Sequence, residues 1–413
     1  MEPRGSPQIL NEEVVDVRRL FRMPWKTSDN AMSWLEPTRK CNITCDACFA
    51  INDPNSQKSI DRIRQELDIL LRIRRCDAVL IAGGEPLTHP NIVDVVRMVK
   101  NRGVKAQLVT NGVGLESPFL HELHRNGATG ITFHVDAHQA RPGWKGKDER
   151  ELNELRQHFA DMVRSEGGMV CGYNTTVFPD TLQYVPDIIQ WTTRNIRHVS
   201  VMTLIATRML DSSLPFDSYA VGKRIELSQM GFYSSQHYDN LTTLDLYREA
   251  KKALPDFAFA AYVGGTAIPN SLKWGIACRI GSASQSYGNL GPVTMEIMQN
   301  FYHLMTGRYL AYAKPSLSRQ GRLLLLFGAF DREIRAAAKN YFRAILRHPA
   351  RIFEGVSVQT ISLLQPIDIL PNGEQDNCDG CPNGTVWNDR IVPACQLDNY
   401  TRFGGPVQMV PRS

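Results

Sequence analysis

Between residue 31 and about residue 206, apolar positions fall into short runs of strand character that alternate with longer stretches at helical spacing. Ala31–Glu36 reads as a first strand. After a polar loop, Ile60, Ile63, Leu67 and the Leu70/Leu71 pair line one face of a helix over 59–74, which Ser59 is placed to cap. Further apolar runs predict strands at 78–82, 105–109, 130–135, 170–177 and 199–204. The intervening periodicity predicts helices at 91–100, 118–125, 149–165 and 185–194. Six strands alternating with helices predict a parallel α/β fold with right-handed crossovers. In such folds the chemistry gathers at the carboxyl ends of the strands. Periodicity alone does not distinguish an open sheet from a barrel.

Beyond Ala206 the alternation stops. A helix is expected at 244–253 and two long amphipathic ones at 292–314 and 323–346, followed by a tail punctuated by Gly and Pro from Pro366 onward. The expected organisation is an N-terminal arm at 1–30, an α/β core at 31–206, and a mostly helical, Cys-containing extension at 207–413.

Composition narrows the class. With 43% hydrophobic and 22% charged residues in 413, the chain has ample material for a globular core. A net charge of +5 is small for this length and gives no reason to expect a nucleic-acid partner. No apolar run approaches the ~20 residues of a membrane span, and the first residues lack a signal-peptide pattern. A cytoplasmic protein is expected, and nine cysteines in a reducing compartment point to metal binding or catalysis rather than disulfides.

Cys41, Cys45 and Cys48 form a C-x3-C-x2-C run just after the first strand. Three thiols cannot all pair as disulfides. Thiolates are the usual ligands of iron–sulfur clusters, and three of them on a [4Fe–4S] cube leave one iron free for a small molecule. A structural zinc site is the alternative, but it wants four ligands and no fourth lies nearby. The run "RKCNITCDACFA", with Phe49 following the third cysteine, resembles the cluster loop of the radical S-adenosylmethionine (SAM) superfamily. That resemblance implies a partial (β/α)6 barrel, a [4Fe–4S] cluster on Cys41, Cys45 and Cys48, and SAM as cofactor.

The strand ends carry the other candidates. In "AGGEP", Gly83 and Gly84 let backbone approach a ligand closely and Glu85 offers a carboxylate to a cationic amino group. By the resemblance, this element grips the amino group of SAM. By the same resemblance Thr110, Asn111, His134 and Asp136 line the floor under the cofactor's ribose and carboxylate. His134 and Asp136 share a parity and point to one side; a self-satisfying His–Asp hydrogen bond is the alternative to a functional role. Strand 170–177 is unusually polar at Tyr173–Thr176, and Asn174 is a further cofactor-facing candidate. Arg208, just beyond the sixth strand, is read as meeting a carboxylate or, more in keeping with its type, as a solvated surface side chain. The loop 138–147 is read as a lid near the substrate or as a solvated loop.

Cys378 and Cys381 form a C-x2-C knuckle, Cys395 follows, and Cys278 stands apart. Four thiolates would cover a second, auxiliary [4Fe–4S] cluster or a zinc ion; without Cys278, a three-ligand site remains open. Cys76 and Cys171 read as small buried hydrophobes. The tail is similar to the auxiliary-cluster extensions of radical SAM enzymes but departs from the seven-cysteine SPASM layout. The motif set looks closer to the branch that contains archaeal tetraether lipid synthases and methanopterin-type methylases.

The resemblance implies an enzyme that cleaves SAM reductively to a 5′-deoxyadenosyl radical and takes hydrogen from a small-molecule or lipid-like substrate, with electrons from a ferredoxin or flavodoxin. A peptide-modifying maturase is one alternative, although the short arm leaves little room for a leader-binding domain. A non-enzymatic iron–sulfur or zinc protein is the other. Nothing in the sequence chooses the substrate, and the long helices after residue 292 are read either as enclosing a lipid-like chain or as packing on the barrel.

Overall fold

The computed structural model describes residues 15–412, so the first part of the expected N-terminal arm lies outside the described residues. The core follows the sequence periodicity closely. Strand β1 (Phe21–Arg22) precedes β2 (Met32–Thr38), α1 (Ile60–Ile73), β3 (Ala78–Gly83), α2 (Ile92–Asn101), β4 (Lys105–Thr110), α3 (Ser117–Arg125) and β5 (Ala128–His134). Then come α4 (Leu152–Glu166), β6 (Val170–Val177), α5 (Val185–Arg194) and β7 (Val201–Ala206). Ser59 caps α1, its side chain accepting from the Arg62 N–H, and Ile63, Leu67 and Leu70 form the buried stripe of that helix.

The extension is richer in strand than its sequence pattern suggests. It begins with β8 (Phe216–Ala220), β9 (Lys223–Ile225), α6 (Thr243–Ala253), β10 (Ala261–Val263), β11 (Trp274–Gly281) and β12 (Ser286–Asn289). Four helices follow: α7 (Pro292–Thr306), α8 (Pro315–Ser318), α9 (Gly321–Leu324) and α10 (Arg332–Arg347). Strands β13 (Ser357–Leu364), β14 (Asp368–Ile369), β15 (Gln375–Asp376), β16 (Gly384–Trp387) and β17 (Arg390–Pro393) lead to α11 (Leu397–Phe403) and β18 (Val407–Pro411). The long helices are shorter than the periodicity implies. Gly307, at φ +69°, stops α7, and the Asp331 cap restarts the chain as α10.

One sheet carries both regions. Strands β2 to β7 pair in parallel in chain order, and β13 adds a further parallel strand beside β7. Strand β11 then pairs antiparallel with β13, and β10 and β1 continue to the far edge. The sheet curls. Met32, Trp34, Ala78 and Leu80 from its first strands share one buried cluster with Ile276, Cys278 and Ile280 from the opposite part of the order. The outer face packs against the helices in a larger core, where Phe133 stacks on Phe159 at 4.3 Å between ring centroids.

The two ends of the curled sheet are joined by the Cys-rich segment. Cys378 bridges to Gly265 just past β10, Asp379 pairs with Arg22 of β1 at 2.7 Å, and the Gly380 carbonyl accepts from Asn30 Nδ2 at 2.9 Å. Arg74 at the end of α1 donates to the Cys381 carbonyl at 3.0 Å, and β16 packs beside β2.

The amino ends of β2 to β4 are closed by α7 and the loop after it. The Tyr302 hydroxyl donates to Asp77 at 2.8 Å, His303 meets Asp29 at 2.8 Å, and Lys105 donates to the Tyr312 carbonyl at 2.7 Å. The long helices therefore pack at the end of the barrel opposite the cysteine loop. Among the described residues, no helix is long and apolar enough to cross a membrane.

Candidate active site

The cysteine loop leaves the carboxyl end of β2 and is strapped to the ends of its neighbours. Gly84 N–H donates to the Thr38 carbonyl at 2.9 Å, and Glu85 N–H to the Lys40 carbonyl at 2.8 Å. A Cβ on Gly84 would stand 2.5 Å from the Arg39 carbonyl carbon and from the Arg39 and Lys40 oxygens, and Gly83 is held at φ +117°. The close approach that these glycines permit is thus made by the stem of the cysteine loop itself. From the other side, β5 and its following loop are stitched to the same segment. Cys45 bridges to Gln139, Asp46 N–H donates to the His138 carbonyl at 3.0 Å, and Ala140 N–H donates to the Thr44 carbonyl at 2.8 Å.

Glu85 is fully buried. Its carboxylate accepts from the Thr110 hydroxyl at 2.6 Å, the Asn111 N–H at 2.7 Å and the Leu87 N–H at 3.0 Å. Burial pushes its carboxyl above the ordinary range, and these hydrogen bonds oppose that shift. With three donors already seated, Glu85 ties the ends of β3 and β4 together, and about one of its four lone-pair sites is left open. Asn111 carries the tie onward: its Nδ2 donates to Asn42 Oδ1 at 2.7 Å and lies 3.7 Å from the Cys41 sulfur.

His134 and Asp136 meet at 3.0 Å, and His134 Nε2 is also 3.1 Å from the Thr176 hydroxyl. In the sheet register His134 stands beside Asn174, and Asn174 beside Thr203, so these residues share the inner face. Further round, Thr360 pairs in register with Val201 and Ser362 with Thr203. Between β5 and β13 the interior is therefore lined by imidazole, amide and hydroxyl groups, whereas the side formed by β2, β3 and β11 is apolar.

Two arginines that sequence reasoning left aside complete the floor. Arg141 lies in a Pro/Gly loop where cations are ordinarily solvated, yet it is buried. It donates to the Asn111 carbonyl at 2.6 Å, the His134 carbonyl at 2.9 Å and Gln139 Oε1 at 2.8 Å. Arg39 pairs with Glu36 and with Asp398 of α11. The loop 138–147 is consequently held rather than free: His138 sits between Asp46 and Asp180 and stacks on Phe178 at 3.8 Å.

These surroundings suit an anionic cluster–thiolate group. Burial raises the Cys41 and Cys45 thiols above their ordinary range, Asp136 adds to the effect at Cys45, and the bare trio favours the protonated form that a metal would displace. Arg141 exerts a favourable field on Cys45, as Arg39 does on Cys48, and each retains one buried N–H without an acceptor among the described residues. Among those residues no group of three or more His, Cys, Asp or Glu side chains is arranged to hold a single metal ion. A cluster makes a different demand, because each thiolate binds its own iron.

The second set of cysteines is brought together only in part. Cys381 acts on the Cys378 thiol and holds it above its ordinary range, and Cys395 lies within electrostatic reach of Cys378. Lys273, fully buried and paired with Asp368 and Asp376, faces the same group. Cys278 is elsewhere. Cys378 is bridged to Gly265 just past β10, whereas Cys278 lies within β11, opposite Thr360 with S···O 3.7 Å. Arg208 is partly buried, its side chain 12% exposed, and it pairs with Asp368 rather than standing solvated. Cys76 and Cys171 are buried.

The Radical SAM superfamily profile matches residues 35–192, the span that builds this site. This span is similar to the radical SAM superfamily domain. Over 106 residues it is 33% identical to the tungsten-containing aldehyde ferredoxin oxidoreductase cofactor-modifying protein of Pyrococcus furiosus, covering 25% of this chain and 30% of that protein. Over 95 residues it is 33% identical to a PqqA peptide cyclase of Streptomyces rochei, covering 22% of this chain and 26% of the relative. The chain thus spans about a third or less of the length of these curated relatives. Among solved structures it is similar to Streptococcus suis SuiB bound to S-adenosylmethionine, at 13% identity and a TM-score of 0.38 over 55% of this chain and 47% of that one.

Proposed function

We propose that the chain is a radical SAM enzyme that acts on a polar small molecule. The observation that carries this reading is the joining of the three-cysteine loop to a buried scaffold whose open side is lined with hydrogen-bonding groups. Cys41, Cys45 and Cys48 would hold a [4Fe–4S] cluster, which when bound supplies the one-electron cleavage of SAM to methionine and a 5′-deoxyadenosyl radical. The chain's own residues do the positioning. Glu85 fixes the ends of β3 and β4, Asn111 and Arg141 orient the loop around the sulfurs, and Arg39 ties its far side to Asp398. His134, Asp136, Asn174 and Thr176 are assigned to orient the polar parts of SAM or substrate. An interior closed to bulk water would protect a radical from quenching.

Support for a polar rather than lipid-like substrate comes from the lining of Thr132, His134, Asn174, Thr176 and Thr203, together with the removal of the long helices to the opposite end. We assign Cys378, Cys381 and Cys395 to an auxiliary three-thiolate site, with Cys278 outside it. A small ferredoxin or flavodoxin would serve as electron donor.

The test is anaerobic reconstitution with iron and sulfide, followed by measurement of 5′-deoxyadenosine from SAM under reducing conditions. Production by the wild type and its loss in a folded Cys45→Ala protein are expected. Equal production by that variant would refute the assignment.

A further inference from the structure

Outside the site, the surface of segment 292–353 stands apart from the rest of the molecule. Thirteen of the fifteen large hydrophobic side chains that are exposed among the described residues belong to it. They follow helical spacing: Val293, Ile297, Phe301, Leu304 and Met305 form one outward stripe on α7, and Phe342 and Leu346 lie on the outer side of α10. Phe353 is 89% exposed and Leu346 82%. The same segment carries ten Lys and Arg residues against three Asp and Glu, so its own excess of positive charge exceeds the net +5 of the whole chain.

The two stripes belong to one base. Asp331 caps both helices: Oδ1 accepts from Glu333 and Ile334 of α10, and Oδ2 accepts from the Thr294 N–H at the start of α7. The inner sides of both helices are spent on the core, through Met295 on one and Ile334, Ala337 and Tyr341 on the other. On α10 the exposed positions interleave cations with apolar groups, as in Lys339, Phe342, Arg343, Leu346 and Arg347. Next to Phe342 and Leu346, a cavity of about 310 Å³ is lined by Asn340, Arg343, Arg347, His348 and Arg351. Arg343 and Arg347 pair with no carboxylate among the described residues.

We infer that this face is a docking surface for an anionic phospholipid bilayer, with the arginine-lined cavity receiving a lipid phosphate. The chemistry of each part matches one layer of that partner. Arginine presents paired donors to phosphate oxygens, and apolar side chains between such cations enter the headgroup–acyl boundary, as amphipathic helices lying in a membrane interface do. An apolar patch of this extent marks an interaction surface, and its charge selects a negative one. This inference does not rest on the proposed chemistry. It has a consequence for it, however: the docked protein would turn the cysteine loop away from the bilayer, toward soluble substrate and reductant.

The test is co-sedimentation of the full chain with vesicles of phosphatidylcholine alone and of phosphatidylcholine mixed with phosphatidylglycerol, a readout that needs no cluster. Binding to the anionic vesicles only is expected. An Arg343→Gln/Arg347→Gln protein should partition roughly thirty-fold more weakly, and Phe342→Ser/Leu346→Ser should abolish binding, both with unchanged circular dichroism. Absence of wild-type sedimentation would overturn the inference, as would charge variants that sediment like the wild type. It is equally overturned by a wild-type dimer that Phe342→Ser converts to monomer, or by binding of duplex DNA in preference to vesicles.

Discussion

Gly84 gives the sharpest test of how the cysteine loop is held. A methyl group added there would stand 2.5 Å from three backbone atoms of Arg39 and Lys40, where 3.4 Å is the lower limit of ordinary contact. The stem of the loop must therefore retreat by about 0.9 Å, only one residue before Cys41. Backbone cannot rotate away as a flexible side chain would. The overpacking alone costs roughly 2 kcal/mol, and loss of the Gly84–Thr38 and Glu85–Lys40 hydrogen bonds adds about 1 kcal/mol each. At about 1 to 2 °C per kcal/mol for a chain this long, Gly84→Ala should lower Tm by roughly 4–8 °C. It should also reduce the iron retained after anaerobic reconstitution. Gly103→Ala is the control. Gly103 has φ +71° with nothing within 4 Å of the added carbon, so this variant pays a local backbone cost of about 1 kcal/mol and leaves iron content unchanged. A Gly84→Ala protein with the Tm and iron content of the wild type would refute the strapping argument.

Arg141→Gln removes donors from the Asn111 and His134 carbonyls, so it should destabilise by roughly 3 kcal/mol and lower the 5′-deoxyadenosine yield, with Arg141→Lys restoring little; calorimetry and product analysis check both. If the auxiliary assignment is right, Cys278→Ser keeps the wild-type iron content, while Cys378→Ala and Cys395→Ala lose the iron of one cluster. Burial works against protonation of His138, but Asp46 and Asp180 raise its pKa above the ordinary histidine value. Its contribution is therefore complete below pH 6.5 and is lost as pH rises through the raised value. Relative to His138→Gln, the wild type should lose up to about 1 kcal/mol across that window, a small figure because both carboxylates are exposed; paired Tm curves at several pH values decide it.

The core was legible because each strand and helix from residue 31 to 206 carries its own periodicity and its partner comes next in the chain. Strand β13 was not. Its sequence, SVQTISLL, puts hydroxyl or amide groups on both parities and so lacks clean alternation, and it pairs with β7 across some 150 residues of intervening chain. The His134–Asp136 pair followed from strand parity alone. The placement of Arg141, Arg208 and Lys273 was not legible for one shared reason: a cation enclosed by protein looks like a surface one until the partners that satisfy it are known, and those partners arrive from distant segments, Asp368 and Asp376 among them. The opposite held for Gly83 and Gly84, whose need for space was legible while the group filling that space was not.

The most direct measurement is Mössbauer spectroscopy of a Cys378→Ala/Cys395→Ala protein reconstituted with ⁵⁷Fe, recorded with and without SAM. With the auxiliary set reduced to Cys381 and the Cys41, Cys45 and Cys48 trio intact, the account predicts a single cluster in which SAM changes the signal of one iron site and leaves the rest alone. A spectrum indifferent to SAM, or a protein that takes up zinc at those cysteines and no iron, would contradict it.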